Sequence, residues 1–133
     1  MSWKTSYRSI YYDGAPEPDD MELLPGETAL LVIDIQNTYL ERPDRTGLSA
    51  DEQRTYDAWT PFHDRMHNIV IPNTKSMLDV FRGNDVECMF ARIACRTNDG
   101  RDRSLSQKMP GWNNLLLPKD EMPSQLVTEI GPQ

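Results

Sequence analysis

Hydrophobic residues fall along this chain in two short runs, with a stretch of helical spacing between them. Ala29, Leu30, Leu31, Val32 and Ile33 follow one another without a polar interruption. Such a run predicts a strand that is apolar on both faces, as in a covered parallel sheet. Its length alone leaves a buried helical segment open. The β-branched Val32 and Ile33, and the Pro25-Gly26 turn signal just upstream, favour the strand. The element is expected within residues 28–37. A second run, through Val86, Cys88, Met89, Phe90, Ala91 and Ile93, predicts another strand over 86–93. Between them, Met66, Ile69, Val70, Met77, Leu78 and Phe81 recur at helical spacing over 61–82. Pro72 either kinks one long helix or opens a second at its first turn. Gly83 is expected to close that helix as a left-handed cap. Ser49 and Glu52 have the spacing of a capping box, which predicts a short helix after Ser49.

Strand, helix and strand with a short final turn read as a right-handed crossover between parallel strands. The rest of the chain is less regular. Residues 1–27 form an expected irregular arm, packing through Trp3, Tyr7, Tyr11 and Tyr12. Residues 94–114 read as loop. Leu115, Leu116 and Leu117 before Pro118 suggest a short apolar anchor, and residues 124–130 a helical turn or short strand. Two strands and one helical segment make an unfinished sheet, because a strand apolar on both faces needs cover on both. A missing segment or a companion chain is expected to complete it.

Composition changes this picture little. The 133 residues are 38% hydrophobic and 26% charged, and fit one domain of ordinary size. The net charge of −7 argues against nucleic acid and against an anionic membrane surface. No apolar run approaches the roughly 20 residues of a membrane span, and no signal-peptide pattern opens the chain. With only Cys88 and Cys95, a reducing, cytoplasmic setting is expected. No Gly-x-Gly-x-x-Gly, no Gly-Lys-Ser/Thr, no Gly-x-Ser-x-Gly and no Cys-x-x-Cys motif occurs, so no cofactor is implied.

The residue that points to chemistry is Asp34. It directly follows the first apolar run, and ligands of open α/β sheets bind outside the C-terminal ends of the strands. A carboxylate there is placed to act as a general base. The bland alternative is an aspartate that caps a nearby loop.

The run Ala29-Leu30-Leu31-Val32-Ile33-Asp34-Ile35-Gln36-Asn37-Thr38-Tyr39 resembles the opening strand of the isochorismatase-like cysteine hydrolases. There an apolar strand ends in Asp-x-Gln, usually with Asn and an aromatic soon after. A helix ending in Arg82-x-Asn84, a Gly111-Trp112 loop and a late Gly131-Pro132 extend the likeness over most of residues 28–133. The resemblance implies an α/β fold, three-layer α/β/α, with a mostly parallel six-stranded sheet of Rossmann-type topology, incomplete on this chain. Residues 28–133 would be its N-terminal half. It implies hydrolysis of a C–N bond in a small linear amide, carbamoyl or ureido compound. The family's triad is Asp, Lys and Cys, and Asp34 matches the Asp. The Lys and the nucleophilic Cys have no matching positions here, so a companion chain or further segment is expected to bring them. Homo-oligomers are expected from the same likeness. A different class of reading stays open: a non-catalytic half-domain acting as a binding or scaffold module completed by a partner.

Gln36, Asn37 and Tyr39 are expected to line a substrate pocket, with Arg96 and Trp112 as further contacts. Arg96, Arg101 and Arg103 would suit a carboxylate, although Asp99 and Asp102 interleave with them and favour a solvated loop. Cys88 reads as a core thiol. Cys95, between Arg92 and Arg96, is the better candidate of the two for a reactive thiol. His63 and His67 share a helix face, where two histidines suit zinc if a carboxylate joins them, but surface positions are the commoner outcome.

Overall fold

The computed structural model describes residues 4, 6, 8–111 and 115–132. It is a mixed α/β structure built on a small parallel sheet. Strand β1 (Ala29–Ile33) pairs with β2 (Glu87–Ala91), from Ala29 opposite Glu87 to Ile33 opposite Ala91. The crossover between them is helical almost throughout. Helix α1 (Asn37–Leu40) is one turn. Helix α2 (Ala50–Arg65), a wide π turn (Met66–Val70) and helix α3 (Ile71–Gly83) then run on without a break. Together they extend roughly 50 Å. A final turn, α4 (Leu105–Lys108), lies in the loop after β2.

Local chemistry accounts for these boundaries. Ser49 Oγ accepts from the Glu52 N–H, and the Glu52 carboxylate accepts from the Ser49 N–H at 2.8 Å. That is the capping box expected from the sequence, and it opens a helix much longer than expected. Pro72 stands in the first turn of α3, as one of the two sequence alternatives has it, although α3 runs on from the π turn without a break. Pro72 has no N–H for the carbonyl four residues back. The helix widens just before it, and the Ile71 N–H reaches the Met66 carbonyl instead. Gly83 is not the left-handed cap. It is the last helical residue, and the chain turns left-handed at Asp85, φ +57°, where a short polar side chain tolerates that region.

The core lies on one side of the sheet. Val32 is buried with Leu40, Ile71, Leu78, Val127 and Ile130, and Leu30, Cys88 and Phe90 pack against them. Residues 124–130 thus contribute Val127 and Ile130 to the core, and Leu126 bridges back to Gln36 antiparallel. Leu117 is buried as the expected anchor, beside the bridge from Pro118 to Cys95.

The other side of the sheet carries exposed apolar side chains, with no described residue burying them. Leu31 is 49% exposed and Ile33 56%, with Met89 beside them across the ladder. The strand read as buried on both faces is covered on one.

Candidate functional site

The first strand ends in a local distortion. Asp34 has φ +56°, the left-handed region that few non-glycine residues adopt. Its N–H still donates to the Ala91 carbonyl at 3.0 Å, so the ladder extends one residue past β1. Its carbonyl then accepts from the Gln36 N–H at 3.0 Å. The reversal lays residues 35–37 against 125–127. The Val127 N–H donates to Ile35 at 3.1 Å and the Asn37 N–H to Gln125 at 3.0 Å.

Beyond this turn a cleft of about 680 Å³ opens between the end of β1, α1 and the second half of α2. Asp34, Tyr39 and Glu41 line it from the strand side, Trp59, Phe62 and His63 from the helix side. Neither carboxylate accepts a hydrogen bond from a described residue, so both are left to solvent or a ligand. Burial pushes the Tyr39 phenol above its ordinary pKa, and the Asp34 carboxylate adds to the effect. The phenol is therefore protonated at neutral pH and available as a donor. Burial also lowers the His63 pKa, helped by the positive charge of Arg42 and by His67, so the imidazole is neutral at pH 7. His63 Nδ1 is buried and finds no hydrogen-bond partner among the described residues.

The helix-side wall is held by aromatic stacking and by the segment before α2. Trp59 and Phe62 meet edge to face at 5.6 Å, and Phe62 meets His63 at 5.3 Å. His67 stacks on His63 and contacts the Leu40 carbonyl at 3.3 Å. The Arg42 guanidinium lies 3.4 Å from the centre of the Tyr56 ring and donates to the Tyr56 carbonyl and Thr60. Arg45 forms a two-pronged pair with Asp57 at 2.7–2.8 Å. Among the described residues, no Lys, Arg or Cys lines the Asp34 cleft.

The structure therefore gathers Asp34 and Tyr39 and gives the other expected pocket residues different tasks. Gln36 is fully buried and its amide is spent on backbone. Nε2 donates to Ile93 at 2.9 Å and to Ser124 at 2.8 Å, and Oε1 accepts from the Ile93 N–H at 2.8 Å. Gln36 is a brace rather than a lining residue. Asn37 donates to the Met122 carbonyl at 3.0 Å, tying α1 to the turn at 122–124. Arg96 lies in the exposed loop after β2, away from the cleft, and Trp112 is outside the described residues.

The arginine cluster makes no carboxylate clamp. Arg103 donates to the Leu115 carbonyl at 2.7 Å and Arg101 stands 3.9 Å from Asp99. Asp102 ties the loop together, accepting from the Arg96 and Thr97 N–H groups and the Thr97 hydroxyl, and its pKa falls to about 2, led by the Arg96 hydrogen bond. The better thiol candidate is reversed as well. Cys95 is 3% exposed, and Arg92 points not at it but at the carbonyls of Ser124 and Lys119. Among the described residues, no group of three His, Cys, Asp or Glu has a metal-binding arrangement. Nor is any described helix long and apolar enough to cross a membrane.

Trp59, Phe62 and Met66 were not read from the sequence as cleft residues, and neither was Glu41. The signal was present. Trp59, Phe62, His63 and Met66 keep the three-and-four spacing of one helix face, which extends the apolar pattern back into α2. No protein-family model matches the chain, and no curated protein matches it.

Proposed function

We propose that this chain supplies the general base and one wall of the active site of a cysteine amidohydrolase of the isochorismatase-like type. The observation that carries the reading is Asp34: a carboxylate with no hydrogen-bond partner among the described residues, held in a left-handed turn at the C-terminal end of a parallel strand, on the rim of a large cleft. Strained backbone at a strand end facing a cavity is a recurring feature of functional sites.

In this reading the chain is the N-terminal half of a three-layer α/β/α domain. The remaining strands and helices, with the Lys and the nucleophilic Cys, come from a further segment or a companion chain. The bare face at Leu31, Ile33 and Met89 is where they would pack. Asp34 takes the proton of the thiol, and the thiolate attacks the carbonyl of a small amide, carbamoyl or ureido compound. The C–N bond breaks, and the amine leaves with the proton returned by Asp34. Water then hydrolyses the thioester. The lysine favours the charged forms of acid and thiol. The expected setting is cytoplasmic and the expected assembly a homo-oligomer.

A second reading rests on the same bare face: a non-catalytic scaffold whose uncovered sheet receives a partner. The decisive experiment uses the protein isolated from its natural source. Ammonia release from simple carbamoyl and ureido compounds is measured beside its intact mass. Activity from a larger chain or a two-chain complex supports the hydrolase. Full activity from a single species with the mass of these residues alone would overturn the half-domain reading. No release from any such compound would overturn the hydrolase and leave the scaffold.

A further inference from the structure

The lining of the Asp34 cleft has a one-sided chemistry. Its walls are aromatic, with Trp59 and Phe62 on α2 and Tyr39 on α1. Its two carboxylates, Asp34 and Glu41, lack hydrogen-bond partners among the described residues. Its other titratable groups are a protonated phenol and a neutral imidazole. The nearest arginine, Arg42, is laid on Tyr56 and hydrogen-bonded to Tyr56 and Thr60. It lines a neighbouring cleft of about 460 Å³, which shares Glu41, Trp59 and His63 with the first. The carboxylates of that neighbouring cleft are otherwise engaged: Glu52 in the capping box and Asp51 with Arg54. Glu41 is thus an acid without a hydrogen-bond or ion-pair partner among the described residues, at the junction of two clefts that both include Trp59, and its neighbour Arg42 is turned onto Tyr56 and Thr60.

An anion is disfavoured in such a place, because the two carboxylates repel it and the one arginine whose charge reaches the lining, Arg42, is held on Tyr56 and Thr60. A cationic nitrogen is favoured twice, by the carboxylate and by the negative faces of the aromatic rings. We infer that the cleft selects a ligand whose distal end is an ammonium or comparable cationic nitrogen, seated by Glu41 against Trp59, while the reacting end lies at Asp34. This assigns a substrate charge and a specificity-determining residue to the proposed hydrolase, and as a substrate assignment it rests on that proposal. As a binding statement it stands on the cleft alone.

The test separates the two. Binding is read first, by NMR titration of the full chain with choline and with 3,3-dimethylbutan-1-ol, its uncharged carbon counterpart. Neither contains an amide, so hydrolysis plays no part. Choline is expected to bind about tenfold more tightly at low salt. Glu41→Gln should remove most of that preference, and Trp59→Leu should weaken choline more than the alcohol. Glu41 is exposed, so its replacement is not expected to disturb the fold. Equal binding of the two probes, or a preference that survives Glu41→Gln, would overturn the inference. Turnover is read second, as ammonia release from betaine amide against 3,3-dimethylbutanamide and succinamate, using the protein as isolated from its source. Choline preference without any amide hydrolysis would leave the cation seat standing and remove the hydrolase. Hydrolysis with no preference for the cationic amide would do the reverse.

Discussion

The side-chain amide of Gln36 closes a two-bond ring on the backbone of Ile93, donating to its carbonyl at 2.9 Å and accepting from its N–H at 2.8 Å. The amide thus pairs with the chain after β2 much as a strand residue would, continuing the sheet beyond Ile33 with a side chain. The third bond, to the Ser124 carbonyl, brings in the C-terminal segment. Three separate stretches of chain meet on one buried amide.

Gln36→Leu keeps the volume but removes the side-chain partner of the Ile93 N–H and carbonyl, while the Ser124 carbonyl keeps only its bond from Arg92. A buried orphaned group costs about 1–3 kcal/mol. The variant should lose roughly 2–4 kcal/mol in urea unfolding, with the slope of the transition unchanged. A loss below about 0.5 kcal/mol would show that the amide is not a brace.

Asp34 has two separable properties, a carboxylate and a left-handed backbone. Asp34→Asn removes the first, tolerates the second, and should lower amide hydrolysis by about 10²-fold or more with the fold intact. Asp34→Gly should be as inactive but equally or slightly more stable, since glycine adopts positive φ without steric cost. Asp34→Val should be destabilised by about 1–3 kcal/mol. Circular dichroism melts beside an ammonia assay check all three, and retained turnover in Asp34→Asn would remove it from the chemistry.

The bare face of the sheet predicts association. Leu31→Lys with Ile33→Thr should leave the stability of the isolated chain nearly unchanged, because both side chains already face solvent. The pair should reduce self-association measured by light scattering. A wild-type chain that stays monomeric at high concentration would mean the face needs no cover.

His63 gives the fold a pH dependence of definite sign. Its folded pKa lies below its unfolded value of 6.5, so the unfolded chain takes up the proton first. Stability should be full above about pH 6.5 and fall as the pH drops from there toward the folded pKa. His63→Gln should flatten that part of the profile in chemical denaturation between pH 7 and 5. An unaltered slope would place its cause elsewhere.

The two strands, the parallel pairing and the helix between them were legible in the residues, because unbroken apolar runs and three-and-four spacing are local signals. The capping box at Ser49 was legible for the same reason. What the residues did not show depends on which face meets what. Leu31 and Ile33 read as buried because nothing in their own chemistry distinguishes a covered face from a bare one. Gln36 read as a pocket residue because a polar side chain two positions after Asp34 looks available. Only the antiparallel return of 125–127 reveals that it is consumed. Cys95 looked reactive between two arginines, yet it is buried and Arg92 is spent on the carbonyls of Ser124 and Lys119. Glu41 and Trp59 carry no motif, and their meeting depends on how the helix is phased over the strand.

That phasing is the work of the wide turn at Met66–Val70. Upstream of it, α2 turns Trp59, Phe62 and His63 to the cleft. Downstream, α3 turns Ile71 and Leu78 to the core. Each residue added to or removed from a helix rotates everything beyond it by about 100°. The turn is therefore an angular setting between the half of the rod that anchors and the half that receives. Excising a single residue after Met66 would keep the helix, the sheet and every cleft side chain. It would nonetheless swing the aromatic wall out of line with Asp34, and the strand end would face a blank surface.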